Sequence, residues 1–274
     1  MEFHPIHEGF GAEVTGFDVM GSSDPADIDA LRWARDEYQL LLFRCDEEMP
    51  PERQVEITSW FGPIMDGMGQ GYGFLSNEEG MFGGRERLPW HFDYSFTETP
   101  FAGISLQAIA LPPAGTVTLF TSNVLAWDSL SPTMRTRIEG LTARHCDSDD
   151  PVSGKQVVMT DHPVHVVNPC TGRDMLWITE YHAIRINELT EAESDALLAE
   201  LNAHIYAPER VYEHRWRAHD FMVWDNWAIQ HCRPVEAELA DGVRSLRRVT
   251  NSAKSLDEIT EQARRRTAEL MAAQ

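Results

Sequence analysis

Short strand-like runs closed by Pro and Gly turns constrain the fold of this chain more than any other feature. Residues 103–110 and 116–121 are strand candidates separated by Leu111-Pro112-Pro113-Ala114-Gly115, a turn that stops any regular element. Residues 11–19, 40–43, 163–167, 175–179, 211–215, 220–224 and 244–251 read the same way. Helical patterns fall between them. Asp24-Pro25 starts one that carries Ile28, Leu31 and Ala34 inward and runs to Tyr38, and Pro51 opens a second that ends near Trp60. Others cover 122–141, 190–206 (with Leu197, Leu198, Leu201 and Ile205 inward) and 255–272. Residues 142–160 look polar and irregular. The Gly- and Met-rich stretch 65–89 reads as a long loop, a candidate lid over a site. Strands and helices do not alternate in βαβ order. The pattern predicts a mostly antiparallel barrel or sandwich dressed with peripheral helices, as one domain over residues 1–274.

Charge narrows the partners. With 23 Lys and Arg against 44 Asp and Glu the chain carries −21, which disfavours a nucleic-acid backbone or an anionic membrane surface. An anionic small molecule stays compatible if a few arginines gather in one pocket. Cys45, Cys146, Cys170 and Cys232 are widely spaced and form no zinc or disulfide pattern, so they read as reduced thiols. No secretory signal opens the sequence, and no apolar run approaches the roughly 20 residues that span a bilayer. A cytoplasmic protein is the expectation.

Chemistry concentrates in Trp90-His91-Phe92-Asp93-Tyr94-Ser95-Phe96. If this run is a strand, His91 and Asp93 share a face and converge. A His-x-Asp tripeptide alone fits a solvated His beside a turn Asp equally well. A second stretch, Val223-Trp224-Asp225-Asn226-Trp227-Ala228-Ile229-Gln230-His231, changes the balance, and the arginine-rich run 244–250 follows it. Two imidazoles and one carboxylate form a set that holds Fe(II) on one side and leaves the remaining positions open. His162 with His165, and His214 with His219 and Asp220, are weaker ligand sets. Asp220 and Asp225 read as turn formers, with Asp225 and Asn226 ordering the approach to His231.

Taken in order, Gly11-Ala12-Glu13-Val14-Thr15-Gly16, Phe61-Gly62, Trp90-His91-Phe92-Asp93, Thr118-Leu119-Phe120-Thr121-Ser122, His162-Pro163-Val164 with Thr171-Gly172, Trp224-Asp225-Asn226 with His231, and Arg244-x-x-x-Arg248 resemble the taurine dioxygenase (TauD/TfdA-like) family. That resemblance implies a double-stranded β-helix (jelly-roll, cupin-like) core. It also implies a dioxygenase that uses Fe(II), 2-oxoglutarate and O2 to hydroxylate or desaturate an aliphatic carbon, with succinate and CO2 released. Carried over, His91, Asp93 and His231 are the metal ligands. Arg244 and Thr118 receive the far carboxylate of 2-oxoglutarate, a task suited to a guanidinium fork. Arg248 grips an anionic group of the substrate, and Arg247 points away into solvent. Met65 and Arg87 stand where the taurine enzyme has pocket polar groups, and His182 replaces an aromatic pocket position. With Met68, Phe74, Tyr94 and Tyr181 they suggest a larger, more apolar substrate than taurine with a carboxylate or similar anion. The resemblance further suggests a homodimer or higher oligomer. Two other classes stay open: a metal-dependent hydrolase or lyase with the same His/Asp/His set, and a catalytically silent jelly-roll binding protein.

Overall fold

The computed structural model describes residues 1–21, 23–65, 70–79, 81, 83–84, 87–147, 157–234 and 241–272. The chain opens with β1 (Glu2–His7) and β2 (Phe10–Thr15), followed by α1 (Pro25–Tyr38), β3 (Leu40–Phe43) and α2 (Pro51–Ser59). Then come β4 (Gly73–Ser76), β5 (Leu88–His91), β6 (Gly103–Ala110), β7 (Val117–Ser122), α3 (Asn123–Asp128) and α4 (Pro132–Ile138). The middle holds β8 (Thr142–Asp147), β9 (Val158–Pro163), β10 (His165–Val167), β11 (Asp174–Leu176), β12 (Ala183–Ile186) and α5 (Glu191–Ile205). Last are β13 (Tyr212–Arg215), β14 (Phe221–Asp225), β15 (Ile229–Arg233), β16 (Ser245–Asn251) and α6 (Leu256–Ala272).

Two sheets carry the architecture. Seven strands run in the order β1-β2-β3-β14-β6-β16-β4, and four in the order β13-β7-β15-β5. Leu106, Met222, Trp224 and Leu246 of the first meet Phe120, Ile229 and Trp216 from the second element group in one buried cluster. This is the jelly-roll core, with helices at its edges. The Pro-rich turn after β6 therefore carries the chain from one sheet to the other. β3 explains why a run of four apolar residues is a strand here. Leu40 and Leu42 face the intersheet core, while Leu41 and Phe43 face the cluster under α1 and α2. A central strand covered on both sides has no polar face to keep.

Local signals place the helices. Asp24 caps α1, its carboxylate accepting from Ala26 N at 2.8 Å, and the helix ends where Gln39 turns left-handed at φ 66°. Thr190 and Glu193 form a capping box on α5.

The structure departs from the sequence reading most clearly in four places, besides dividing the strand expected over 163–167 between β9 and β10 and ending that expected over 175–179 at Leu176. The helix expected over 122–141 is two helices, because Ser131 caps α4 through Met134 N at 3.1 Å and Pro132 occupies its first turn. The irregular stretch 142–160 contains the paired strands β8 and β9, whose Arg144 and Asp161 meet at 2.9 and 3.0 Å. Within the loop 65–89, β4 pairs with β16 and β5 begins at Leu88, while Met68 lies outside the described residues. Strands β1, β12 and β15 were not expected. None of the described helices is long and apolar enough to cross a membrane.

Candidate metal centre and its surroundings

The last residue of β5 and the middle of β15 face one another, His91 opposite His231, in an antiparallel pair. Their rings lie 4.3 Å apart. Asp93 Oδ1 sits 3.2 Å from His91 Nε2 and 3.7 Å from His231 Nε2. The three donor atoms fall within 4.8 Å of one another, the one His/Cys/Asp/Glu group of this kind among the described residues. Asp93 reaches this place differently from the strand alternation first expected. β5 stops at His91, and Phe92 turns inward to pack on Trp177 with ring centroids 4.2 Å apart. The chain then bends through Tyr94 at φ 64°, a conformation costing a bulky residue about 1–3 kcal/mol. Asn226 holds that bend. Its Oδ1 accepts from Asp93 N at 3.0 Å, and its Nδ2 donates to Asp93 O at 3.1 Å and Phe101 O at 2.9 Å. Asn226 thus orders Asp93 rather than the approach to His231.

The donors are in the protonation states a divalent metal needs. Pro89 O accepts from His91 Nδ1 at 2.7 Å, which leaves the Nε2 lone pair toward Asp93. Burial pushes the His231 imidazole down to about 3, so it is neutral. Burial alone would raise the Asp93 carboxyl, but the adjacent Arg248 guanidinium outweighs it and holds the group well below the usual carboxylate range. Two neutral nitrogens and one fixed carboxylate fit a metal such as Fe(II).

Arg248 is turned onto the metal centre itself. Its Nη2 binds Asp93 Oδ2, and its guanidinium carbon lies 5.5 Å over the Phe101 ring. The group assigned to a substrate anion is therefore already engaged by the centre's own carboxylate. Arg247 does point away, yet it is only 1% exposed and not solvated. Gln54 Oε1, Gln107 Oε1, Glu48 and Met49 O receive its donors.

Arg244 precedes β16 rather than lying in it, and the register against β6 shifts between Ser245 and Leu246. It is 7% exposed, donates to Gly84 O at 2.9 Å, and leaves a buried Nε without a partner. No carboxylate among the described residues pairs with it. Burial, with Arg233 nearby, lowers it to about 10. A buried guanidinium with no carboxylate partner among the described residues is suited to receive an external anion. Thr118 is on β7 of the four-stranded sheet, its Oγ1 accepting from Trp216 Nε1 at 2.9 Å with the hydroxyl proton left to donate.

The expected pocket residues divide into two groups. Met65, Tyr94 and Phe101 pack together, and Tyr94 stacks 4.1 Å from Phe101, so this apolar wall adjoins Arg248. His182 lies beside the centre, 6.1 Å ring to ring from His91, and Ser95 Oγ meets its Nδ1 at 2.7 Å. Burial pushes it down to about 3. Arg87 is held by Glu180 through two 2.9 Å bonds, so in this structure its guanidinium braces the protein. Phe74 lies on β4, and Tyr181 is at the surface 6.0 Å from the His91 ring. Ser95, Phe101 and Tyr206 carried no local signal and went unnoticed. The other histidine sets are occupied. His162 Nε2 donates to the carbonyls of Ser95 and Thr97, His165 stacks on Trp127, and His214 pairs with a buried Asp220 that also binds Arg44.

A jelly roll with two histidines and an aspartate at one end of its smaller sheet defines a non-haem metal oxygenase class. Residues 2–250 match the family model described as taurine catabolism dioxygenase TauD, TfdA family. The chain belongs to that family and is an α-ketoglutarate-dependent dioxygenase. It is 30% identical over 268 residues to pentalenolactone F synthase of Streptomyces arenae, covering 85% of this chain and 90% of that protein. It is likewise 30% identical over 252 residues to the (S)-phenoxypropionate/α-ketoglutarate dioxygenase of Sphingobium herbicidovorans, covering 83% and 87%. Among solved structures, a taurine dioxygenase from Burkholderia xenovorans superposes with TM-score 0.79 at 28% identity, covering 91% of this chain and 90% of that one. The enzyme AAD-2, solved with Mn(II) and N-oxalylglycine, gives 0.77 at 25% identity, covering 92% and 97%.

Proposed function

We propose that this chain, as one domain over residues 1–274, is an Fe(II)- and 2-oxoglutarate-dependent oxygenase. It hydroxylates or desaturates an aliphatic carbon of a small, partly apolar substrate bearing a carboxylate or similar anion. The observation that carries this reading is the convergence of His91 Nε2, Asp93 and His231 Nε2 within 4.8 Å. Those three atoms would hold Fe(II). With O2 and 2-oxoglutarate bound, the metal would supply the oxidising power, and 2-oxoglutarate would leave as succinate and CO2.

The chain's own residues do the rest. Arg244 and the Thr118 hydroxyl receive the far carboxylate of 2-oxoglutarate, since Arg244 is a buried cation with no carboxylate partner among the described residues. Arg248 keeps Asp93 Oδ2 turned outward, so that Oδ1 faces the histidines. The wall of Met65, Tyr94 and Phe101 takes the apolar body of the substrate and excludes water. His182, buried and neutral, borders that space. The names of the two relatives, one acting on phenoxypropionate, support an anionic substrate larger than taurine. We propose a homodimer or larger assembly, tested by light scattering. A cytoplasmic setting is supported by four cysteines that form no disulfide.

Anaerobic addition of Fe(II) and then 2-oxoglutarate is the test. A weak visible charge-transfer band from the chelated keto acid is expected. It should vanish in His91→Ala and weaken in Arg244→Ala. Iron binding without the band would overturn the oxygenase reading and direct the work to Zn(II)-dependent hydrolysis or lysis.

A further inference from the structure

His91 and His231 project from one face of the smaller sheet, and the residues before them, Trp90 and Gln230, project from the other. On that far side both meet a single side chain. Tyr206, just past the end of α5, stacks on Trp90 with centroids 4.8 Å apart and planes 8° from parallel. Its hydroxyl donates to Gln230 Oε1 at 2.8 Å. The same oxygen accepts from Glu180 N at 3.0 Å, and the Glu180 carboxylate accepts from Trp90 N at 3.2 Å. Gln230, fully buried, uses its Nε2 on Asn123 Oδ1 at 2.6 Å and Ile178 O at 2.8 Å. Arg87 closes the outer end on Glu180.

We propose that Tyr206 is a positioning residue for the metal centre, tying the backs of β5 and β15 together so that His91 and His231 keep their separation. The pairing of these strands alone does not provide this. The ladder shifts register between His231 and Arg233, and Pro89 has no N–H to give to it. A shifted, proline-bearing ladder fixes the two strands less firmly than a regular one, and one stacked ring with one hydroxyl spanning both adds a second tie. Tyr206 touches no ligand directly and acts through Trp90 and Gln230. The inference rests on the metal-centre reading above and extends it to a residue about which the donor set says nothing.

The experiment is equilibrium binding of Co(II) to the full chain, followed by its visible d–d bands. Tyr206→Phe keeps the stack and removes only the hydroxyl. It should weaken Co(II) about 10-fold, the lower end of what supporting contacts around metal ligands are worth, and shift the band pattern. Gln230→Leu should do the same, and the double variant should lose less than the product of the two. Since metal-free stability reports a merely structural role, the apo unfolding midpoint of Tyr206→Phe serves as the control. Wild-type Co(II) affinity and bands in Tyr206→Phe, or a loss that scales only with the apo midpoint, overturns the proposal. The oxygenase reading fails separately, through absence of the 2-oxoglutarate band in a wild-type chain that binds metal.

Discussion

Asn226 and Asp93 hold each other as two peptide groups would. Asn226 Oδ1 accepts from Asp93 N at 3.0 Å and Asn226 Nδ2 donates to Asp93 O at 3.1 Å, across 133 positions of sequence. This clasp is what lets Tyr94 stay left-handed and Asp93 leave the strand on the side of the histidines. Asn226→Asp preserves the shape but sets an oxygen against the carbonyls of Asp93 and Phe101. Urea unfolding should show a loss of about 1–3 kcal/mol, and metal affinity should fall with it. An unchanged midpoint would show that the bend holds itself.

Metal should stabilise the folded chain by mass action. Binding only to the native centre adds about 2.7 kcal/mol at a metal concentration 100 times the dissociation constant. A thermal scan with Mn(II) should therefore show a raised midpoint, returned to the starting value by chelator. His231→Ala should abolish the increment.

Arg244 predicts opposite signs for stability and affinity. Its guanidinium is buried with no carboxylate among the described residues, so removing the charge relieves an unfavourable burial. Arg244→Met should leave the metal-free chain as stable or more stable. It should weaken 2-oxoglutarate by about 10- to 100-fold, the worth of roughly 1.5–3 kcal/mol in charge-assisted bonds. Calorimetric titration measures the second effect and chemical denaturation the first.

Away from the centre, Arg144 grips Asp161 through two bonds on β8 and β9. Burial raises the Asp161 carboxyl, but the bonds and charge of Arg144 more than offset this and lower it below its ordinary value. The pair's contribution is thus full above the unfolded carboxylate pKa of about 4 and lost as pH falls through the depressed folded value. Arg144→Met should be less stable than wild type at pH 7, and the gap should narrow as the solution is acidified below that range. Denaturant midpoints along a pH series check the sign.

What was legible in the sequence was whatever short segments decide for themselves. Asp24 with Pro25 announces a helix start because a cap needs only neighbours two or three positions away. Leu40–Phe43 reads as a buried strand because four apolar residues in a row leave no face for water. The donor types at His91, Asp93 and His231 were visible too, since metal chemistry demands nitrogen and oxygen ligands whatever the fold.

The tertiary structure alone decided the rest, because each remaining feature depends on partners remote in the chain. β15 and β12 lacked a clear pattern, and what makes them strands is the ladders with β7 and β8. Arg247 and Arg248 are adjacent and chemically identical, yet one is buried against Gln54 and Gln107 and the other is bound to Asp93. Arg87 became a brace because Glu180, 93 positions away, arrives beside it. Propensity and periodicity report on a residue's neighbours in sequence. The destination of a charged side chain is set by desolvation, which depends on what the folded chain places within a few ångströms of it.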